Sequence, residues 1–266
     1  MSNPRMPSPA RSPIHIARLA LLIAAISLCA FGQPSQPPAP ASRQPVLVEL
    51  FTSEGCSDCP PADALLARLD ASQFVPGADA IVLSEHVTYW NHLGWHDPFS
   101  FDAIDQRQQD YVTRFALQGS YTPQMVVDGA AQFVGSDARA LSSAVAKAAA
   151  NPKPVLAIEN PRWEDGAVYF SVRGPADPAS TLFAALAADA THSEVAHGEN
   201  AGRTLHHVAV VRVLKDFGSK SADGRQLKLS GLSHADESAG PFRLVVFLAA
   251  HRTGHVVAVA EQTLQR

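Results

Sequence analysis

Residues 51–69 read FTSEGCSDCPPADALLARL, and the fold prediction starts from this stretch. Two cysteines, Cys56 and Cys59, stand three positions apart directly before two prolines. Prolines fit the first turn of a helix, because the N–H group that proline lacks would have no intrahelical partner there. Apolar side chains follow at helical intervals, so the stretch predicts a helix whose N-terminus lies just after Cys56.

Apolar runs around this helix predict strands. Residues 45–51, PVLVELF, form a nearly continuous apolar run with β-branched members, which is typical of a strand buried on both faces in a parallel sheet. Similar runs predict three more strands, at 80–87, 124–129 and 131–136. A turn at Asp128-Gly129 joins the last two as a hairpin. Helical spacing predicts two more helices, at 103–117 and 137–150.

The sequence changes character after residue 150. From Pro154 onward it consists of short β-like runs separated by Gly, Pro, Asp and Asn, a pattern typical of β-sandwiches. The segment NPKP, residues 151–154, predicts a linker, because prolines stop the preceding helix and stiffen the joint. We therefore expect two domains, at 45–150 and 154–266.

The N-terminus has the pattern of a secretory signal. Residues 1–18 carry three arginines and no acidic residue, and the apolar run 19–28 is too short to favour a membrane-spanning helix. Small residues suit cleavage after Gly32, which gives a signal peptide at 1–32 and a flexible Pro-rich leader at 33–44. We expect a periplasmic or secreted protein without stable membrane association after cleavage; an uncleaved anchor is the alternative.

Cysteine usage and charge narrow the function. Cleavage after Gly32 removes Cys29 and leaves Cys56 and Cys59 in an oxidising compartment, where unpaired thiols are rare. A disulfide that closes so short a loop adds little stability, which argues against a purely structural pair. The formal charge of −4 offers no basic surface for nucleic acid. No Gly-rich dinucleotide fingerprint is present, so we expect no flavin, nicotinamide or other cofactor.

Cys56 has the sequence position of a reactive cysteine. The thiolate, rather than the thiol, attacks a disulfide. N–H groups at the start of the helix, including that of Cys59, can point at the Cys56 sulfur, and the helix dipole favours negative charge there. Glu54 and Asp58 act in the opposite sense, because nearby negative charges disfavour a thiolate.

The element order and two motifs carry a resemblance. A Cys-x-x-Cys pair after the first strand, with Thr122-Pro123 before the third, resembles the thioredoxin fold. More narrowly, the chain resembles a family of secreted bacterial proteins of that fold with no established function. Four segments carry this resemblance: VELFTSEGCSDCPPAD (48–63), HVTYWNHLGWHDPF (86–99), YTPQMVVDG (121–129) and GENAGRTLHHVAVVR (198–212). The expected fold class is an α/β thioredoxin-like domain followed by a mostly β, sandwich-like domain.

The resemblance implies roles for individual residues. Cys56 is expected to attack and Cys59 to resolve the mixed disulfide. Pro123 is expected in cis, where it holds the backbone of Thr122 open so that a substrate peptide can pair with it as an added strand. Glu49, in the first strand, is a candidate proton shuttle for Cys59. The alternative for Glu49 is an acid on an exposed strand edge.

The loop after the second strand is rich in aromatic residues and histidine. Its Trp90 and Trp95 are candidate substrate-binding residues. Its histidines support a rival hypothesis, because thiolates and imidazoles are the ligands that copper and zinc accept. The ligands of such a site would be Cys56, Cys59, His86, His92 and His96. Histidines beside tryptophans also occur as packing residues.

Residues 198–203, GENAGR, are the most distinctive loop of the second half. Gly198 and Gly202 allow a tight turn that Asn200 and Arg203 can fasten by hydrogen bonds. The loop is either a docking element, for a partner or for the first half of the chain, or a turn locked by its own polar groups. Two histidines follow it in a strand, where His206 and His207 point to opposite faces.

The function that these residues favour is a thiol–disulfide oxidoreductase. Its partners would be the thiols or disulfides of other proteins, and the sequence does not indicate an oligomeric state. The copper- or zinc-binding module is the alternative. A third reading, a structural binding protein, applies if Cys56 is buried.

Overall fold

The computed structural model describes residues 43–175, 177–219, 223–232 and 240–265. The predicted signal peptide, 1–32, and all but the last two positions of the predicted leader, 33–44, lie outside the described residues. No helix in the described part of the chain combines the length and hydrophobicity needed to cross a bilayer.

The first part of the chain has the predicted order of helices and strands. The elements are β1 (Gln44–Thr52), α1 (Pro60–Ser72), β2 (Ala78–His86), α2 (Asp102–Arg114), β3 (Gln124–Val127), β4 (Ala131–Val134) and α3 (Ala138–Ala149). A short 3-10 helix, Asn91–Leu93, interrupts the loop after β2. Asp137 caps α3, since its carboxylate accepts from the backbone N–H groups of Arg139 and Ala140.

The second part of the described chain consists of strands. They are β5 (Ala157–Glu164), β6 (Ala167–Arg173), β7 (Ser180–Glu194), β8 (Thr204–Asp216), β9 (Asp223–Leu229), β10 (Phe242–Ala250) and β11 (Val256–Leu264). Strands β5, β6 and β9 form a three-stranded sheet in the order β5-β6-β9. The apolar face of that sheet, with Val168 and Phe170, shares a buried cluster with Leu186 of β7 and Val246 of β10.

The other strands correct the predicted fold class. Within the described residues, eight strands form one mixed sheet in the order β11-β10-β7-β8-β2-β1-β3-β4. β1 is parallel to β2, and β2 is parallel to β8, with Ser84 opposite Val210. Strands from both sides of segment 151–154 thus share one sheet, and the described residues from 43 onward form one compact unit. A thioredoxin-like α/β domain followed by a sandwich-like domain is therefore wrong as a fold class.

The physical reason for this difference is the edge of β2. If the first half ended its sheet at β2, the unpaired N–H and C=O groups of a buried apolar strand would face solvent. β8 covers that edge by pairing with β2, while its other edge pairs with β7. The sequence indicates that β8 is apolar but does not indicate which strand it joins.

The two faces of β1 pack against different parts of the core. Alternate residues of a strand point to opposite faces, so Glu49 and Phe51 share one face and Leu50 and Thr52 share the other. Phe51 packs edge-on against Tyr111 of α2, with 5.9 Å between ring centroids. The Thr52 hydroxyl, on the other face, donates a hydrogen bond to Asp63 of α1. Helices α1 and α2 therefore contact opposite faces of β1.

The predicted hairpin turn between β3 and β4 also forms bonds to other strands of the sheet. Asp128 and Gly129 both have positive φ, 48° and 59°, as the Asp-Gly turn requires. The Asp128 carboxylate accepts from the N–H of Leu47 and forms an ion pair with Lys153 at 2.6 Å. The Asp128 carbonyl accepts from the N–H of Val256, so this turn joins β1 to β11.

We predict that Gly129→Ala strongly destabilises the fold. A Cβ atom at Gly129 would collide with the carbonyl oxygen of Gly254, and alanine would also be strained at the positive φ. The free energy of unfolding, measured by urea denaturation, should fall by more than about 2 kcal/mol, because steric collision adds to the strain.

Gly77→Ala is the matched control. Gly77 has a φ of 78°, but a Cβ there would meet nothing within 4 Å, so only the strain of about 1–2 kcal/mol applies. Equal losses of stability in the two variants would contradict the close approach of Gly129 to Gly254.

Candidate functional site

The cysteines lie where the sequence places them, in the turn between β1 and α1. Cys56 and Cys59 form a disulfide with 5.4 Å between their Cα atoms. Cys59 is the N-cap of α1, and Pro60 and Pro61 occupy its first turn. The Cys59 N–H donates to the Cys56 carbonyl oxygen at 3.3 Å. This differs from the expectation that it points at the Cys56 sulfur.

Both cysteines are buried, with residue exposures of 1% for Cys56 and 0% for Cys59. The sequence-based account needs solvent or a substrate to reach the Cys56 sulfur, so this burial is a correction. It also meets the condition under which the sequence favours a structural binding protein. The neighbouring Ser57 and Asp58 are exposed, so the turn itself reaches the surface. The cause of the burial of Cys56 therefore lies in what packs around it.

Residues 195–203, which connect β7 to β8 and are called the cover loop below, are bonded to the cysteine turn. The Asn200 amide donates to the carbonyl oxygens of Glu54 and Cys56, both at 2.9 Å. The Glu199 carboxylate accepts from the N–H of Ser57 at 3.1 Å, and the Ser57 side chain together with this N–H lowers the pKa of the exposed Glu199. The cover loop is thus docked on the first part of the chain.

The cover loop is also fastened by its own polar groups. Arg203 donates to the Asn200 side-chain oxygen at 2.7 Å, and Gly202 donates to the carbonyl of Val195 at 2.7 Å. A Cβ on Gly198 would lie 3.2 Å from the Cβ of Trp95, so the loop backbone packs closely on that tryptophan. The cover loop therefore combines both interpretations: it is docked on the first half of the chain, and its own polar groups lock its turn.

The predicted substrate residues Thr122 and Trp90 lie beside the cysteine turn. The Thr122-Pro123 peptide bond is cis, as predicted. The Trp90 indole donates to the Thr122 hydroxyl at 2.8 Å, and its Cβ would touch a Cβ placed on Gly55. These contacts connect the loop before β3 to the residue that precedes Cys56.

A pocket of about 470 Å³ separates the cysteine turn from the loop before β3. Its lining combines polar side chains with the ring of Pro123 and the exposed Val134. The lining residues are Ser57, Asp58, Pro61, Tyr121, Thr122, Pro123, Val134 and Ser136. The pocket is open to solvent.

Glu49 does not lie where its predicted role requires. Its carboxylate is buried and accepts hydrogen bonds from Arg107 Nε at 2.5 Å and the Tyr111 hydroxyl at 2.6 Å, both from α2. It therefore lies on the face of β1 opposite α1, the helix that Cys59 caps. Neither predicted alternative applies, because Glu49 is also not on an exposed edge.

The Glu85 side chain belongs to the same buried group as Glu49, Arg107 and Tyr111. Arg107 Nε lies 3.9 Å from Glu85, and burial together with the neighbouring Glu49 raises the pKa of Glu85 well above its ordinary value. Burial likewise raises the pKa of Tyr111 well above its ordinary value. One guanidinium thus faces two acids, and neither carboxyl oxygen of Glu85 has a hydrogen-bond partner among the described residues.

Five titratable side chains on the α1 side of β1 form what we call the buried histidine network. Its members are Glu54, Asp63, His86, Asp97 and His207, all almost fully buried. They come from the cysteine turn, α1, β2, the loop after β2, and β8. Such a set of buried, interacting acids and bases adjacent to a disulfide is typical of a functional site.

Two of the network's pairs are ionic or hydrogen-bonded. His86 Nδ1 lies 2.7 Å from Asp97, and His207 Nε2 lies 3.2 Å from Glu54. Burial disfavours charged His86, but Asp97, Asp63 and Glu54 outweigh it and raise the pKa of His86. Burial also opposes ionised Asp97, but His86 and backbone N–H groups outweigh it and lower the pKa of Asp97.

The two histidine rings also contact each other. The centroids of His86 and His207 lie 4.7 Å apart, nearly perpendicular, with Phe99 against both. His86 Nε2 and His207 Nδ1 have no hydrogen-bond partner among the described residues. Trp95, predicted to bind substrate, instead donates its indole N–H to Glu54 at 2.9 Å and so supports the network.

The predicted metal ligands are not brought together. His86 is buried and bonded to Asp97, whereas His92 and His96 are exposed. The described residues contain no group of three or more His, Cys, Asp or Glu side chains that could hold a metal ion. Cys56 and Cys59 are bonded to each other.

Sequence reasoning missed Asp63, Asp97 and His207 as site residues. A signal was available for Asp63, because it stands four positions after Cys59 on the predicted helix and therefore on the same face. His207 carries no local signal, because it reaches the site from β8, far along the chain from Glu54 and His86, which it contacts. The prediction that His206 and His207 face opposite sides is confirmed: His206 is exposed and His207 is buried.

Comparisons with known proteins agree with this architecture. A family model described as "Protein of unknown function (DUF1223)" matches residues 47–249. Among curated proteins, none matches the chain. The X-ray crystal structure of protein AGR_C_4864 from Agrobacterium tumefaciens is similar, with 23% identity and a TM-score of 0.62 over 84% of this chain and 95% of that one. At this identity the likeness shows the fold alone.

We predict that Asn200→Ala opens access to Cys56. The variant removes both hydrogen bonds from the Asn200 amide to the cysteine turn and changes neither the cysteines nor the residues that line the pocket. In the reduced protein, Cys56 should react with iodoacetamide about 5- to 10-fold faster, since losing about 1–1.4 kcal/mol of hydrogen bonding raises the open population by that factor.

His206→Ala is the control for this experiment, because His206 is exposed on the neighbouring strand and has no bond to the cysteine turn among the described contacts. Its alkylation rate should equal that of the unaltered protein. An unchanged rate in folded Asn200→Ala would show that the cover loop does not limit access to Cys56.

Proposed function

We propose that this chain, which belongs to the DUF1223 family of proteins of unknown function, exchanges thiols and disulfides with other exported proteins through Cys56 and Cys59. The observation that carries this proposal is the position of the disulfide. It lies in a four-residue turn at a helix N-terminus, between an open pocket and a buried group of acids and histidines.

The short loop between the cysteines supports a redox role over a structural one. A disulfide stabilises mainly by restricting the unfolded chain, and the effect grows with the length of the closed loop. A separation of three residues restricts the unfolded chain very little. The turn is in addition held by bonds that do not involve the sulfurs, from Asn200 to Cys56 and from Glu199 to Ser57.

The first chemical step takes place at Cys56. A substrate thiolate attacks the Cys56 sulfur, the bond to Cys59 breaks, and Cys59 leaves as a thiolate that takes up a proton. In the opposite direction the Cys56 thiolate attacks a substrate disulfide and Cys59 resolves the mixed disulfide. Electron flow in either direction uses the same two sulfurs, and no cofactor is needed.

The pocket supplies the place for the substrate. An extended peptide along Thr122 and Pro123 can bond to the backbone of that loop while its sulfur approaches the cysteine turn from the side of Ser57 and Asp58. Because Cys56 is buried beneath the cover loop, exchange requires the bonds of Asn200 and Glu199 to open. The exported location of both partners rests on the predicted signal peptide.

We expect a Cys59→Ser variant to accumulate mixed disulfides with its substrates. Without the resolving sulfur, the bond between Cys56 and a substrate cysteine persists, since no internal thiol can break it. The full chain should be expressed with its own leader in a bacterial host. Adducts should then appear on non-reducing gels and disappear with dithiothreitol.

Cys56→Ser is the matched control and should form no adducts, because the proposal assigns the attack on substrate to Cys56 and only the resolving step to Cys59, the N-cap of α1. Absence of adducts in Cys59→Ser, with Cys56 still a free thiol, would contradict the proposed function. Adducts of equal amount in both variants would contradict the assignment of Cys56 as the attacking residue.

A further inference from the structure

Asp63 is a buried acid on the same side of α1 as Cys59. Its backbone N–H donates to the Cys59 carbonyl at 3.1 Å, so the two residues are related as i and i+4 within helical geometry. Residues so related lie one above the other on one helix face. Both side chains are buried, so Asp63 shares the interior environment of the Cys59 sulfur.

The carboxyl group of Asp63 is held from two other elements. The Thr52 hydroxyl of β1 donates to Asp63 Oδ1 at 2.9 Å. His207 Nδ1 of β8 lies 3.9 Å from Asp63 Oδ2 and has no hydrogen-bond partner among the described residues. One carboxyl oxygen of Asp63 thus accepts a hydrogen bond from Thr52. The other faces the imidazole of His207 at a distance too long for a hydrogen bond.

Burial and the charges around Asp63 act on its pKa in opposite directions. Burial raises its pKa, His207, His86 and the Thr52 hydroxyl lower it, and Asp97 raises it further, with a net increase. The remaining member of the network, Glu54, faces His207. A carboxyl group with a raised pKa can hold a proton nearer to neutral pH than an ordinary aspartate and still release it.

We infer that Asp63, and not Glu49, accepts and returns the proton of the Cys59 thiol during disulfide exchange. The inference rests on the proposed function and names a residue for its second step. Glu49 is excluded by position, because it lies on the other face of β1 and is bonded to Arg107 and Tyr111.

The proton and electron pairs balance in this step. While Cys56 is bonded to a substrate sulfur, the Cys59 thiol gives its proton to the Asp63 carboxylate. The electron pair of the Cys59 sulfur forms the bond to the Cys56 sulfur, the bond from Cys56 to the substrate breaks, and the substrate leaves as a thiolate that takes a proton from water. Reduction of the disulfide runs the same transfers in reverse, and Asp63 returns the proton to Cys59.

The test follows the resolving step alone. Reduced full chain is mixed with oxidised glutathione, and the glutathione adduct of Cys56 and its conversion to the Cys56–Cys59 disulfide are followed by quenched-flow mass spectrometry from pH 5 to 9. In Asp63→Asn, adduct formation should stay within twofold of the unaltered protein. Conversion should slow by about 10²-fold, the lower end of the contribution of a general base.

The pH profile separates proton transfer from a merely structural role. In the unaltered protein the conversion rate should rise with pH as Asp63 ionises, whereas in Asp63→Asn it should rise only at higher pH, as the Cys59 thiol ionises by itself. Asp102→Asn is the control, since Asp102 is an exposed acid in the first turn of α2, and should change nothing. Equal or faster conversion in a folded Asp63→Asn chain overturns the inference.

Thr52→Val tests the same point if Asp63→Asn does not fold. Valine keeps the shape of threonine but removes the donor to the Asp63 carboxylate, so the rise in conversion rate should move to higher pH. An unmoved profile overturns the inference. The proposed function is judged separately, by the trapping of exported proteins, which needs Cys56 but not the proton acceptor.

Discussion

The parallel pairing of β2 with β8 is the constraint on which the site depends. The two strands pair at Ser84 and Val210, and the rings of His86 from β2 and His207 from β8 lie 4.7 Å apart. The same pairing places the cover loop, which immediately precedes β8, on the cysteine turn, where Asn200 bonds to Glu54 and Cys56. The second half of the chain therefore completes the site that the first half begins.

The two faces of β1 separate two buried sets of charges. On the α2 side, Arg107 lies between Glu49 and Glu85, and its guanidinium also lies 4.8 Å from the ring centre of Phe247. In this set Glu49 accepts hydrogen bonds from Arg107 and Tyr111, and none of the described contacts joins the set to the cysteines. On the α1 side, the buried histidine network has two unbonded ring nitrogens and an acid of raised pKa. This second set includes Glu54 of the cysteine turn and Asp63 of the helix that Cys59 caps.

The sequence allowed the local features to be predicted and left the long-range ones open. Hydrophobic periodicity reports which face of an element is buried, so β1, α1 and the Asp128-Gly129 hairpin could be identified. It does not report which buried face meets which. The partner of β8, and with it the fold class, depends on edge pairing between segments more than 100 residues apart, which leaves no periodic signal.

The same limit applies to individual site residues. Cys56, Cys59 and Thr122-Pro123 were identified because short motifs mark them. The structure places Thr122-Pro123 in a pocket that is also lined by Ser57 and Asp58, the residues between the two cysteines. Glu49 was assigned the wrong surroundings because its position in the sequence does not say on which side of the sheet it lies. Asp63 and Glu49 are both buried acids near a cysteine in sequence, and only the alternation of β1 and the face of α1 distinguish their roles.

The central claim, that Cys56 and Cys59 are a working redox pair, is tested most directly by the reduction potential of their disulfide. The full chain is equilibrated in glutathione buffers at pH 7, and the oxidised fraction is measured by mass after alkylation. A potential between about −270 and −120 mV, the range of proteins that exchange disulfides, is the predicted result. A potential below about −300 mV, where structural disulfides lie, would contradict the account.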